Sequence, residues 1–297
     1  MTVDPIRCRA RTDLIRAVQL LNQAGPLRIP EVPPGRTMRE SAVLILVGAL
    51  DEVPAVTSSL PAVGGQDRHE AAGRGDRDGS RDRGREETPG APERPHVTAD
   101  LDLLLVQRAA TLRAHPGQVA FPGGRLDPED GDPCATEDRL ELPAGSGQAA
   151  YVRAALREAE EETGLDPSGV EVLGLLPRTP LTVSSHQVTP VVGWWSKPVS
   201  VDVVDHRESS LVFRAPVLDL VDPSRRHSAE VRVPGPDYPD VRHRSPAFRI
   251  PREITDPAGG EGDVVVWGFT GLLLDHLLTA AGWSRDWNTD DVRPAPR

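Results

Sequence analysis

The sequence predicts an α/β domain built on a mixed sheet, and three observations carry that prediction. Apolar runs at residues 41–49 and 101–107 have the length and content of buried strands. Helical periodicity covers residues 10–24, 148–163 and a leucine-rich segment near the C-terminal end. Strands and helices then mix without a regular βαβ rhythm, which favours a mixed sheet.

Each element follows from its own residues. Leu14, Ile15, Val18 and Leu21 repeat at helical spacing until Gly25-Pro26 stops the helix. Residues 30–36 form a connector, and the apolar run after it is far too short to span a bilayer. From 51 to 95 the composition changes. Residues 73–87 mix glycine, arginine and acids without a large apolar side chain, so they bury too little to offset the entropy of ordering. Residues 51–95 are therefore expected to be a disordered insertion between two strands able to pair as neighbours. Such a loop is tolerable because closure entropy grows only logarithmically with length. A second loop insertion is expected at 131–147. Short strands are expected at 170–176, 187–195 and 210–215, a short helix within Ala215–Asp222, and a third flexible stretch over roughly 222–245. A strand at Asp263–Gly268 and a helix with Leu272, Leu273, Leu274, Leu277 and Leu278 follow. The single domain thus takes in residues 1–50 and 96–285, with 286–297 a flexible tail.

Composition excludes several function classes. The 297 residues carry a net charge of −11, so the chain is not built to coat nucleic acid or an anionic membrane. A phosphate-bearing substrate would need local arginines or metal ions to overcome that field. Cys8 and Cys134 imply no disulfide framework and fit a reducing cytoplasm. Asp4, Arg7, Arg9, Arg11 and Asp13 make the N-terminal segment unlike a signal peptide. Acids interleave with the arginines of residues 73–86, which argues against an RNA-binding tail. The expected partner is a small molecule, and oligomeric state is left open.

The most informative segment is Arg157–Leu165. At about 100° per residue, Glu158, Glu161 and Glu162 share one helix face. Val152, Ala155, Leu156 and Ala159 form the core stripe beside it, and Glu160 points elsewhere as a spectator. Like charges at i, i+3 and i+4 repel and destabilise a bare helix. A solvated face with an Arg157–Glu161 pair is the bland reading of such a run. Two features favour a divalent metal instead. The acids flank the core stripe, where a cleft can form, and a Gly123-Gly124 turn upstream lets backbone carbonyls approach an ion closely. Gly164 supplies the helix stop, with Leu165 as its hydrophobic follower.

Gly124, Asp130 after five intervening residues, and then Arg157-Glu158-Ala159, Glu161-Glu162 and Gly164-Leu165 resemble the Nudix box. The box calls for glutamate where Asp130 stands, and residues 131–156 replace a shorter spacer, so the loop half matches with the insertion looped out. A second block resembles the signature of the Nudix coenzyme A pyrophosphatases. It comprises Leu104-Leu105-Val106-Gln107-Arg108, Arg113, His115, Gly117-Gln118 and Phe121-Pro122-Gly123-Gly124, with Val106 where threonine is usual. Residues 188–193, 208–217 and 267–270 resemble the same subfamily.

These resemblances imply a Nudix-like α/β/α sandwich with a mixed β-sheet. They imply Mg²⁺ or Mn²⁺ as cofactor and hydrolysis of a diphosphate linkage, in coenzyme A or its thioesters, to 3′,5′-ADP and (acyl-)4′-phosphopantetheine. Glu158 and Glu162 are the main expected metal ligands, Glu161 a third, and the Gly123 carbonyl an added oxygen. Glu208 is the candidate general base, equally readable as a plain loop carboxylate. Arg108 and Arg113 are candidates for phosphate contact because a guanidinium fork matches phosphate oxygens; surface ion pairs are their other reading. Arg157 is expected to orient the acids, His115 to cap the loop and Phe121 to pack the core. Two other readings stay open: a Nudix hydrolase of ADP-ribose, NADH or oxidised nucleotides, and a catalytically silent Nudix-fold binding module. Retention of all three acids argues against the silent module.

Overall fold

A computed structural model describes residues 5–27, 37–49, 101–112, 115–133, 139–140, 147–181, 184–233, 241–255 and 262–296. The 51–95 insertion, Arg113 and Cys134 lie outside the described residues, as does most of 131–147. The elements in chain order are α1 (Pro5–Ala24), β1 (Arg39–Ala49), β2 (Leu101–Arg108), β3 (Val119–Ala120), β4 (Gly123–Arg125), β5 (Arg139–Leu140) and β6 (Gly147–Gln148). Then come α2 (Ala149–Thr163), β7 (Val170–Leu175), β8 (Thr179–Leu181), β9 (His186–Trp195), β10 (Ser209–Pro216) and α3 (Val217–Val221). The remainder comprises β11 (Arg226–Val233), β12 (Val241–Pro251), α4 (Arg252–Thr255), β13 (Asp263–Val266), α5 (Gly268–Ala280) and β14 (Val292–Pro294).

The main sheet is mixed, as the pattern of segments predicts. Its order is β10-β2-β1-β9-β7, with β3 on β2, β4 on β1 and β8 on β9. Strand β1 runs parallel to β9 and antiparallel to β2 and β4. The strands flanking the 51–95 insertion pair as neighbours, with Ala49 opposite Leu101.

Alternate residues of β1 feed two cores, because successive side chains of a strand point to opposite faces. Ile45 and Val47 join Leu14 and Val18 of α1 and Leu274 and Leu277 of α5 on one side. Leu44 and Leu46 meet Tyr151, Val152, Ala155 and Ala159 of α2 on the other. The result is the expected α/β/α layering. Full burial of one such leucine contributes about 1.5–3 kcal/mol. Because β1 is buried on both faces, its sequence reads as a continuous apolar run. Among the described residues no helix is long and apolar enough to cross a membrane.

Two expectations need correction. Residues 222–245, expected as a flexible stretch, contain β11 and the start of β12, which pair antiparallel from Arg226–Phe248 to Val233–Val241. Buried Arg226, His227 and Ser228 interrupt the apolar alternation by which strands are recognised. Cross-strand ion pairing of Arg242 and Arg244 with Glu230 supplies part of what apolar residues would. Residues 286–297, expected as a flexible tail, contain β14, which lies parallel to β11 and completes a second sheet of order β13-β12-β11-β14. The Arg226 guanidinium stacks between the Phe248 and Trp287 rings, 4.5 and 4.4 Å from their centroids, and pairs with Asp275. Ser228 Oγ also donates to the Thr289 carbonyl at 2.7 Å. Backbone pairing and one stacked arginine hold this segment, and neither leaves a hydrophobic period.

Candidate active site

Helix α2 positions the acids. Its buried residues include Val152, Ala155 and Ala159, and Leu156 packs partly against the same core, as the predicted stripe requires. The Gly164 N–H donates to the Glu160 carbonyl at 2.8 Å with Gly164 at φ +70°, and Leu165 is buried behind it. The stop therefore forms as predicted. Backbone N–H groups of Asp202 and Val204 cap the carbonyls of Thr163 and Glu162 at 3.0 and 3.3 Å. That capping brings the chain leading to Glu208 alongside the end of the helix.

Within the acidic run the fold separates what helix geometry had grouped. Glu162 turns inward and accepts a hydrogen bond from the Gly123 N–H at 3.1 Å. Glu158 is largely covered, with 18% of its side chain exposed, while Glu161 is 59% exposed. The Arg157 Nη1 reaches both, at 3.0 Å from Glu158 and 3.2 Å from Glu161. Glu160 is exposed, as a spectator should be.

Arg157 is the organiser of the loop. Its Nη2 donates to Asp130 at 2.8 Å and to the Arg125 carbonyl at 3.1 Å, and its Nε donates to Asp130 at 3.1 Å. Asp130 is only 3% exposed. Burial alone would raise the Asp130 carboxyl, but the Arg157 guanidinium and the Asp127 N–H together hold it below its ordinary value. Asp130 and Arg157 thus meet despite residues 131–156 between them. A short ribbon of β5 and β6 closes part of the intervening loop.

The two glycines before the loop are required for different reasons. A Cβ on Gly123 would lie 2.3 Å from the Ala42 carbonyl oxygen. One on Gly124 would lie 2.3–2.4 Å from the Glu158 carboxylate. Strand β4 therefore lies directly against β1 on one side and against the carboxylates of α2 on the other.

The carboxylates sit in an unfavourable field. Burial pushes the Glu162 carboxyl up to about 7; the Gly123 N–H and Arg108 oppose that rise, while Glu158 and Glu208 add to it. Burial also raises Glu158, against the pull of Arg157 and with Glu161 and Asp127 reinforcing the rise. Negative charge in this cleft is undercompensated. Among the described residues no three His, Cys, Asp or Glu side chains form a ready-made metal cluster. Glu158 and Glu162, one turn apart, still offer the one or two carboxylates that Mg²⁺ usually takes from a protein, with water and phosphate oxygens completing the shell. The donor set fits a hard divalent cation.

The remaining candidates fall into place unevenly. Arg108 lies near enough to lower Glu162, and its buried Nε has no hydrogen-bond partner among the described residues. Glu208 is exposed at the start of β10, its carbonyl accepting from the Ala109 N–H at 2.9 Å, and it acts electrostatically on Glu162. His115 bonds Gln118 at 2.9 Å within the 115–118 turn, and Phe121 is buried in the core. Asp127 escaped the sequence reading. Asp127-Pro128-Glu129-Asp130 nevertheless carries a capping-box spacing, and Asp130 Oδ2 accepts from the Asp127 N–H at 2.8 Å.

Known proteins bear on this geometry at two levels. The NUDIX domain family model matches residues 96–234. A protein of Escherichia coli O1:K1 described as uncharacterized Nudix hydrolase NudL is 40% identical over 180 residues, covering 61% of this chain and 75% of its own. The protein of the same description from Enterobacter sp. (strain 638) is 37% identical over 136 residues, covering 46% of this chain and 60% of its own. A crystal structure of a NUDIX hydrolase from Alicyclobacillus acidocaldarius superposes with a TM-score of 0.34 at 18% identity, covering 63% of this chain and 82% of that one. The NUDIX domain of Shewanella oneidensis NrtR, complexed with ADP ribose, gives 0.33 at 14% identity, covering 64% and 80%. Superpositions this loose carry no argument about substrate. The weight falls on the Escherichia coli relative, 40% identical across three quarters of its length. A box helix with its loop pinned by Arg157, inside a matched domain, leads to one assignment: the chain belongs to the Nudix hydrolase family.

Proposed function

We propose that this Nudix hydrolase cleaves the diphosphate linkage of coenzyme A or its thioesters, giving 3′,5′-ADP and (acyl-)4′-phosphopantetheine, with Mg²⁺ or Mn²⁺ as its cofactor. The observation that carries the reading is a conjunction. The coenzyme A-type block from Leu104 to Gly124 ends in the turn that touches Glu162 and Glu158. A cation bound there would supply charge neutralisation and Lewis acidity toward the diphosphate oxygens.

The chain's own residues divide the remaining work. Glu158 and Glu162 are the proposed ligands, the Gly123 carbonyl is proposed as an added oxygen, and Glu161 is held at the rim by Arg157. Glu162, raised to about 7 chiefly by burial, must shed its proton before it can serve. Arg157 positions the ligands by pinning the loop to Asp130. Arg108, with its orphaned buried Nε, is the proposed phosphate contact, and Arg113 is proposed with it from the sequence block. Glu208, exposed beside the cleft, is the proposed base. The proposed compartment is the cytoplasm, with which two cysteines and no disulfide framework are in keeping.

The test is a panel of coenzyme A, acyl-coenzyme A, ADP-ribose, NADH and oxidised nucleotides with product identification. Preferential release of 3′,5′-ADP from coenzyme A or its thioesters is expected. Equal or better turnover of another diphosphate would defeat the substrate assignment, and no turnover of any would favour a silent module.

A further inference from the structure

Arg108 stands where the regular pairing of β2 runs out. Leu104 and Val106 belong to the α2 core, so Arg108 shares their face, where its charge reaches Glu162, and Gln107 points to the other. Pairing with β3 ends at Gln107 and Val119. On the other side the β10 register shifts between Ser209 and Leu211, opposite the end of β2. Two backbone hydrogen bonds take over there. The Arg108 N–H donates to the Gln118 carbonyl at 2.9 Å, and the Ala109 N–H donates to the Glu208 carbonyl at 2.9 Å. The placement of Arg108 therefore depends on where the 115–118 turn sits.

Packing does little to hold that turn. His115 and Gly117 both have positive φ, +54° and +69°. A side chain such as that of His115 adopts this conformation at a cost, so surrounding bonds must keep it there. One side of the turn faces a cavity of about 160 Å³ whose lining includes Gln107, Pro116, Gly117, Gln118, Val265 and Trp267. Within the turn the Gln118 N–H donates to the His115 carbonyl at 3.3 Å, and His115 Nδ1 lies 2.9 Å from Gln118 Oε1. The tie back to the sheet comes from Gln107, whose Nε2 donates to the Gly117 carbonyl at 3.1 Å. Gln107 is itself anchored, because Ser210 Oγ donates to its carbonyl at 3.2 Å.

We infer that Gln107 is a positioning residue for Arg108. By holding Gly117 it seats the neighbouring Gln118 carbonyl, and that carbonyl fixes the backbone from which the guanidinium reaches the carboxylate cleft. The buried Arg108 Nε has no partner among the described residues, so no bond at that atom steers the side chain and its backbone aims it. A donor on one face of the sheet thus governs a contact on the other. This role rests on the reading of Arg108 as a phosphate contact, and not on which diphosphate is cleaved.

A double-mutant cycle tests it, with kcat/KM measured on the panel diphosphate that the wild type turns over fastest. Arg108→Ala should lower kcat/KM by about tenfold or more, the scale of a charged hydrogen bond. Gln107→Met, similar in length but without a donor, should lower it by about three- to tenfold, in whichever of kcat and KM the Arg108 variant moves. The double variant should be no worse than Arg108→Ala alone, because a contact already removed cannot be misplaced. A merely structural role for Gln107 would instead multiply the two losses. Gln107→Asn, which keeps the amide but is one methylene short, carries the same cycle if Gln107→Met does not fold. Multiplying losses, or a Gln107 variant with wild-type kcat/KM beside an impaired Arg108→Ala, overturns the positioning role and leaves the phosphate contact standing. Unchanged kcat/KM in Arg108→Ala refutes the phosphate contact, and the positioning role falls with it.

Discussion

The two faces of the sheet edge around β4 have opposite electrostatic character. On the α2 side, Glu158 and Glu162 are covered and crowded, with Arg157 drawn into the loop by Asp130. On the other side, Arg39, Arg125 and His186 gather without an acidic partner among the described residues. The contrast is produced by strand alternation, which sends neighbouring residues such as Arg39 and Glu40 to opposite faces. A single short strand can therefore separate an acidic cleft from a basic patch by the thickness of a backbone. Gly123 and Gly124 divide the labour in the same way: one allows close approach to β1, the other makes room for Glu158.

The largest expected effect comes from removing charge on the acidic face. Glu162→Gln and Glu158→Gln should each lower turnover by about a hundredfold or more while the far-UV spectrum and cooperative unfolding persist, because neither side chain belongs to the core stripe. Unchanged turnover in both variants would remove the acidic face from the chemistry. The paired glycines offer a sharper cut. Gly123→Ala drives a methyl into the Ala42 carbonyl, which cannot swing away, so a loss of stability of about 1–3 kcal/mol is expected. Gly124→Ala meets only the mobile end of Glu158, so activity should fall with a much smaller change in melting temperature. Equal stability losses in the two variants would erase the distinction.

A subtler effect is visible in pH. Burial holds the folded Glu162 carboxyl near about 7 against an ordinary value of 4.5, so between these values the native protein keeps a proton that the unfolded chain has lost. In metal-free buffer, stability from this group is full below the unfolded value and declines as pH rises through about 7. Melting temperatures measured across that window should fall in the wild type and fall less in Glu162→Gln; parallel curves would show that the burial is not felt. The smallest effect belongs to Glu161→Gln. An exposed partner of Arg157 contributes about 0.2–1 kcal/mol at most, and turnover should change far less than in Glu158→Gln. A loss as large as that of Glu158→Gln would show that Glu161 swings into the ligand set.

Much of this was legible in order of residues. Strands β1, β2 and β9, helices α1, α2 and α5, and the stop at Gly164 follow from apolar period and turn chemistry. Strands β11 and β14 did not, because buried Arg226 and His227 read as surface residues and β14 pairs mainly through its backbone. The site shows the same division. The spacing of Glu158, Glu161 and Glu162 marked a helix face, but the angle about a helix axis does not say which flank meets β4. Only the packing of Gly123-Gly124 turns Glu162 inward and leaves Glu161 at the rim.

The sequence by itself determined the α/β class, the neighbouring strands across the 51–95 insertion, the acidic helix and its stop. These depend on local periodicity and on the permissive backbone of glycine, both written within a few residues. Tertiary structure alone decided that Asp130 meets Arg157 across residues 131–156, that the C-terminal segment completes a second sheet, and that Arg39, Arg125 and His186 share one face. The physical reason is common to all three. Each joins residues far apart in the chain through polar side chains or backbone pairing, neither of which a hydrophobic period announces.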